Sequence, residues 1–282
     1  MRMNDSRESS NIEDRRGRRP VMGRGRLGLG AIVLALVAMY FGVDPAVVLQ
    51  MAEGPPASQP APTQTPQAED PARRFVARVL GETEDTWQNI FKRQVGRAYQ
   101  PPTLVLYRGA TPTACGTGQS AMGPFYCPAD AKVYLDLGFF DEMKHKLNAP
   151  GEFAQAYVIA HEVGHHVQSL LGIAGQVDQA RRRQPAQANA LSVRMELQAD
   201  CFAGLWARQA DQARQILEPG DIEAGLNAAS AIGDDTLQRK SQGYVVPDAF
   251  THGSSAQRVR WFKRGLESGD LRECDTFSAK QL

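Results

Sequence analysis

Residues 160–168 read Ala160-His161-Glu162-Val163-Gly164-His165-His166-Val167-Gln168, and the rest of the chain is best read outward from this stretch. It lies inside a run, Glu152 to Leu171, that sets Phe153, Tyr157, Ala160, Val163, Val167 and Leu170 at helical spacing between Pro150-Gly151 and Gly172. Residues four apart on a helix lie one turn above each other, so His161 and His165 share a face and can share one ion. Glu162 sits beside that face, close enough to reach a water on the ion without ligating it. The pattern predicts one zinc ion held by His161 and His165, with Glu162 as general base. His166 follows a ligand directly, about 100° further round the helix. It therefore reads as a polar contact or a partly exposed side chain.

A catalytic zinc takes a third protein ligand and leaves a fourth position open. Acidic residues downstream are Asp178, Glu196, Asp200, Asp211, Glu218, Asp221 and Glu223. Glu196 is the best of them, because MELQADCFAGLWA around it is helical and otherwise apolar. Glu196 and Asp200 stand one turn apart, and such a pair is costly to bury without a cation or an imidazole. Zinc on Glu196 and the His161 N–H on Asp200 would satisfy both carboxylates. Ala199, Ala203 and Gly204 supply a small face on which Gly164 can pack. The competing reading is an exposed acidic pair.

The chain has 282 residues and a formal net charge of +1, which gives no overall attraction to nucleic acid or acidic partners. The charge is uneven. Residues 1–26 carry eight arginines against four carboxylates and little that is apolar, so they are expected to be a disordered basic tail. A nucleic-acid-binding arm is the weaker reading of those arginines, and no nucleic acid partner is expected. From Leu27 to Val43 the sequence is uncharged, about the length of a short membrane span. The expectation is one transmembrane helix within 27–49, preferred over a cleaved signal peptide. The positive-inside rule then puts the tail in the cytoplasm and the body on the exported side of the membrane. Residues 50–72, with six prolines, read as an extended linker.

Residues 73–282 form the expected domain. Its opening segment, Arg73 to about Gln94, is helical; Thr103–Tyr107 and 132–137 (KVYLDL) are strands; long helices cover about 188–210 and 221–232, and a last helix starts near Ser255. The basic stretch Arg181–Arg183 reads as solvated loop. The fold class is thus α+β, helix-rich with a small sheet. Cys115, Cys127, Cys201 and Cys274 fit an oxidising compartment. Four cysteines allow three pairings. The expected disulfides are Cys115 with Cys127 and Cys201 with Cys274, and the competing reading of Cys201 is a buried thiol.

Three motifs in order, HEVGHHVQ (161–168), ELQADCFAG (196–204) and THGSSAQRVRWF (251–262), resemble the neutral zinc metallopeptidase family of bacterial single-span membrane proteins. The resemblance runs from about Arg73 to Cys274 and includes GPFYCP and KVYLDLGFF. More broadly the pattern is similar to gluzincin peptidases, which implies a zincin-like domain with Glu196 as third ligand and Asp200 behind His161. Membrane-associated gluzincins carry T-H-P followed by an arginine. Here Thr251-His252-Gly253 with Arg258 matches, with glycine for proline.

These readings together predict a membrane-anchored zinc endopeptidase acting on a peptide or protein. His252 is the candidate donor to the developing oxyanion and Tyr244 the weaker one, while Arg258 braces the loop through a buried ion pair. Substrate is expected to add as a strand to the sheet edge at KVYLDL. The competing functions are a zinc-stabilised binding protein without turnover and a zinc hydrolase of a non-peptide bond.

Overall fold

The computed structural model describes residues 1–17 and 70–282. Its elements are β1 (Ile12–Asp14), α1 (Pro71–Ile90), a π turn (Phe91–Val95), β2 (Thr103–Tyr107), β3 (Ala110–Thr113), β4 (Gly116–Gln119), β5 (Phe125–Cys127), β6 (Lys132–Asp136), α2 (Gly138–His145), α3 (Glu152–Leu170), α4 (Ile173–Arg183), α5 (Ala188–Arg214), α6 (Asp221–Ala231), α7 (Asp234–Gln242) and α8 (Ser255–Ser268). The class is helix-rich α+β, as expected. A four-stranded sheet runs β1-β2-β6-β5, with β1, β2 and β6 parallel and β5 antiparallel, and β3 and β4 form a separate hairpin.

Helix α3 is buried on nearly every face, with Phe153, Tyr157, Ile159, Val163 and Val167 in the core. It lies against α5, where a Cβ on Gly164 would stand 3.2 Å from the backbone of Ala199. Gly204, expected on the same contact, faces α8 instead. A Cβ there would fall 2.0 Å from the Phe262 carbonyl, and one on Gly265 would fall 1.9 Å from the Cys201 carbonyl. Two glycines, each costing about 1 kcal/mol of helix propensity, let α5 and α8 touch backbone to backbone. The Cys201–Cys274 disulfide ties the C-terminal turn to α5, and Cys115–Cys127 ties the loop after β3 to β5.

The structure departs from the sequence reading in several places. The first residues are not a disordered tail: β1 pairs with β2, and Met1–Arg16 belongs to the same compact unit as the body. Its arginines are matched by carboxylates of the body, as in Arg7 with Glu84 and Asp85. The linker gives way to α1 at Pro71, two residues before the expected start, because Asp70 caps the Ala72 and Arg73 amides. Most of the expected linker and the whole of 27–49 lie outside the described residues. Among the described residues, no helix is long and apolar enough to cross a membrane.

Strand β6 (the KVYLDL segment) is interior, not an edge; the sheet ends on β5 and β1. The basic stretch Arg181–Arg183 closes a helix, α4, where cations suit the C-terminal dipole. Gly220 is the N-cap of α6.

Candidate metal centre

Helix α3 presents His161 and His165 one turn apart, and α5 brings Glu196 across from them. One donor atom from each of the three lies within 4.8 Å of the others. His161 Nε2 is 3.1 Å from Glu196 Oε2, and His165 Nε2 is 3.5 Å from Glu196 Oε1. Burial penalises a charged ring at His161, yet Asp200 and Glu196 outweigh it and push its pKa up to about 9. A carboxylate set between two imidazoles, with a donor atom of each close together, is an arrangement that one metal ion can bridge in place of the ring protons. Two nitrogens and one carboxylate oxygen are a donor set that suits zinc, with room for a fourth position.

The opposite edges of both rings are anchored. Asp200, fully buried on α5, accepts from His161 Nδ1 at 2.9 Å, from Tyr157 Oη at 2.5 Å and from Arg258 Nε and Nη2 at 2.9 and 2.8 Å. His165 Nδ1 donates to Gln168 Oε1 at 2.9 Å. Gln168 is held in turn, since its amide nitrogen donates to the Met195 carbonyl at 2.7 Å and to Gln198 Oε1 at 3.1 Å. Gln198 completes the chain by donating to the Cys274 carbonyl at 3.0 Å. With both Nδ1 atoms donating away from the centre, the two Nε2 atoms are the ones turned towards Glu196, and they are the positions a metal would take in place of a proton.

Glu162 is 8% exposed on the turn that carries His161. His166 is more buried than its sequence position suggested. Its Nδ1 contacts Tyr126 Oη at 3.1 Å and its Nε2 the Gln100 carbonyl at 2.7 Å, joining α3 to β5. Burial lowers its pKa.

His252 stands in the loop before α8, its side chain 51% exposed. Asp234 organises this loop: one of its oxygens accepts the Thr251, His252 and Gly253 amides at 2.7, 2.6 and 3.0 Å, and the other lies 3.2 Å from His252 Nδ1. That contact raises the His252 pKa, with Glu196 adding to the effect. Gly253 has φ +90°, a value closed to proline, so glycine in the THG motif reflects a different backbone. Tyr244 is 62% exposed.

Arg258 is buried as expected, but its carboxylate is Asp200, so it braces the residue behind His161. Tyr157, Gln168, Gln198 and Asp234 were not singled out by sequence. Tyr157 and Gln168 could have been, because they lie four residues before His161 and three after His165 on the same helix. Asp234 carries no comparable signal.

The fold and donor set define a class: a helix-rich α+β domain in which two histidines of α3 face a glutamate of α5. The family model described as "Putative neutral zinc metallopeptidase" matches residues 1–277, and the chain belongs to that family. It is 54% identical to the "Uncharacterized protein YpfJ" of Escherichia coli K12, over 98% of this chain and 99% of the relative. It is 42% identical to the "Uncharacterized protein Rv2575" of Mycobacterium tuberculosis, over 87% and 86%. No solved structure matches it.

Proposed function

We infer that this protein is a zinc-dependent endopeptidase. The observation that carries the inference is the convergence of His161, His165 and Glu196 donor atoms within 4.8 Å, one residue from Glu162. Zinc held by these three side chains would supply Lewis-acid polarisation of a water and of the scissile carbonyl. Glu162 takes the proton of the attacking water on its carboxylate and delivers it to the leaving amine. Asp200, with Tyr157 and Arg258 behind it, fixes the His161 ring, and Gln168 fixes that of His165. His252, whose protonated form Asp234 favours, donates to the oxyanion that forms in the transition state.

Strand β5 ends the sheet beside α3 and is tied to it through Tyr126 and His166. An extended peptide adding to that edge would run past the metal centre, which supports a polypeptide substrate. The apolar stretch 27–43 supports attachment to a bilayer.

Metal analysis and digestion of an unfolded protein such as casein test this reading. One zinc per chain is expected, with cleavage that a chelator stops and added zinc restores. A chain that binds no zinc under these conditions would overturn it.

A further inference from the structure

The body is shaped to receive its own first residues. Gly81 stands in the middle of α1, where alanine is the better helix former. A Cβ there would lie 2.5 Å from the Arg7 carbonyl, so the glycine is the notch through which the segment passes. Three residues further on, Glu84 is nearly buried, and its carboxylate accepts from Arg7 Nη2 at 2.7 Å, Ser9 Oγ at 2.5 Å and Asn11 Nδ2 at 2.8 Å. All three donors belong to the segment. Beyond them the main chain joins the sheet: Leu104 N donates to the Asn11 carbonyl at 2.8 Å and Arg15 N to the Leu106 carbonyl at 2.7 Å. Glu13 then takes Lys132 of β6 at 2.9 Å.

Residues far apart in sequence, Arg16 and Asp70, are also joined. Arg16 Nη1 is 2.6 Å from Asp70 Oδ2, the carboxylate that caps α1. A single crossing of a bilayer between those two residues would put β1 and β2 on opposite faces, and their pairing forbids it. Arg7, Arg15 and Arg16, three of the arginines that argued for a cytoplasmic tail, are engaged by the domain.

We propose that residues 1–16 are an integral part of the peptidase body and lie on its side of the membrane. The apolar stretch 27–43 then attaches the domain without carrying the first residues across. This proposal stands apart from the metal centre, and its test needs no activity.

The full chain is made with a single added cysteine at an exposed site, Ser10→Cys or Lys280→Cys, and cells are treated with a membrane-impermeant maleimide. Both sites should label together in intact cells, or both only after permeabilisation. Labelling of one from outside and the other only from inside overturns the proposal. Docking is read separately by limited trypsin digestion after Arg7. Gly81→Ala should speed that cleavage about tenfold, because cleavage follows the undocked population. Ser9→Ala with Asn11→Ala, which leaves α1 untouched, should act in the same direction. Unchanged cleavage in both variants shows that Gly81 and Glu84 do not hold the segment, and the proposal fails.

Discussion

Asp200 and Arg258 meet in a two-point ion pair, Nε to Oδ2 at 2.9 Å and Nη2 to Oδ1 at 2.8 Å, with both side chains out of solvent. The same carboxylate holds His161 Nδ1. Buried pairs are costly to break from one side, because the remaining charge has nowhere to go. Arg258→Met should therefore destabilise the fold by about 3–5 kcal/mol in denaturant unfolding. Adding Asp200→Asn should recover part of that loss. Asp200→Ala alone should weaken zinc binding about 10- to 100-fold in chelator competition. Unaltered zinc affinity would detach Asp200 from the centre.

The relay behind His165 gives a different signature. Gln168→Met removes the acceptor on Nδ1 and should cost about 10- to 100-fold in zinc affinity. Gln198→Met touches neither histidine and should cost less. If Gln198 acts only by holding the Gln168 amide, the double variant should bind zinc no more weakly than Gln168→Met alone. Additive losses in that cycle would mean two independent effects.

For His252 the expected loss is in turnover. His252→Ala should lower kcat by about 10²–10³ with zinc content and KM little changed. Asp234 raises the His252 pKa, so the donating form persists to higher pH and is lost as pH rises through that value. Asp234→Asn should accordingly move the alkaline limb of kcat to lower pH. A limb that stays in place assigns Asp234 to the loop alone.

How much of this was legible in the sequence follows from where the signal lives. The zinc helix, its two histidines and the second helix with Glu196 and Asp200 show local periodicity, and strand Thr103–Tyr107 is bounded by Pro101-Pro102 and Gly109. Helix α7 opens on two aspartates after a glycine and has a polar composition, so periodicity does not mark it. Strand β1 was hidden more deeply. Ile12-Glu13-Asp14 is too short and too charged to read as a strand. Its order comes from non-local partners, Glu84, Lys132, Asp70 and the open edge of β2, which no local pattern encodes. Gly81 was the one sequence clue, a glycine inside a helix with no turn to make.

Glu13 makes the docked segment sensitive to acid. Its hydrogen bonds with Arg15 and Lys132 hold its pKa at about 2, against 4.5 for the free side chain. A depressed folded pKa contributes stability above the unfolded value that is lost as pH falls through the folded one. A spin label on Ser10→Cys should gain mobility as pH drops from about 4.5 towards 2. Glu13→Gln should lack this contribution and weaken the acid response. An identical response in both chains would remove Glu13 as its source.

The measurement that bears most directly on the peptidase reading is Glu162→Gln in the full chain, with zinc content and peptide cleavage determined on the same preparation. Glutamine keeps the shape of the side chain but cannot accept the proton. The account predicts stoichiometric zinc at wild-type affinity and cleavage reduced by at least about 10²-fold, the lower range for a lost general base. Full cleavage by the zinc-loaded variant would contradict it.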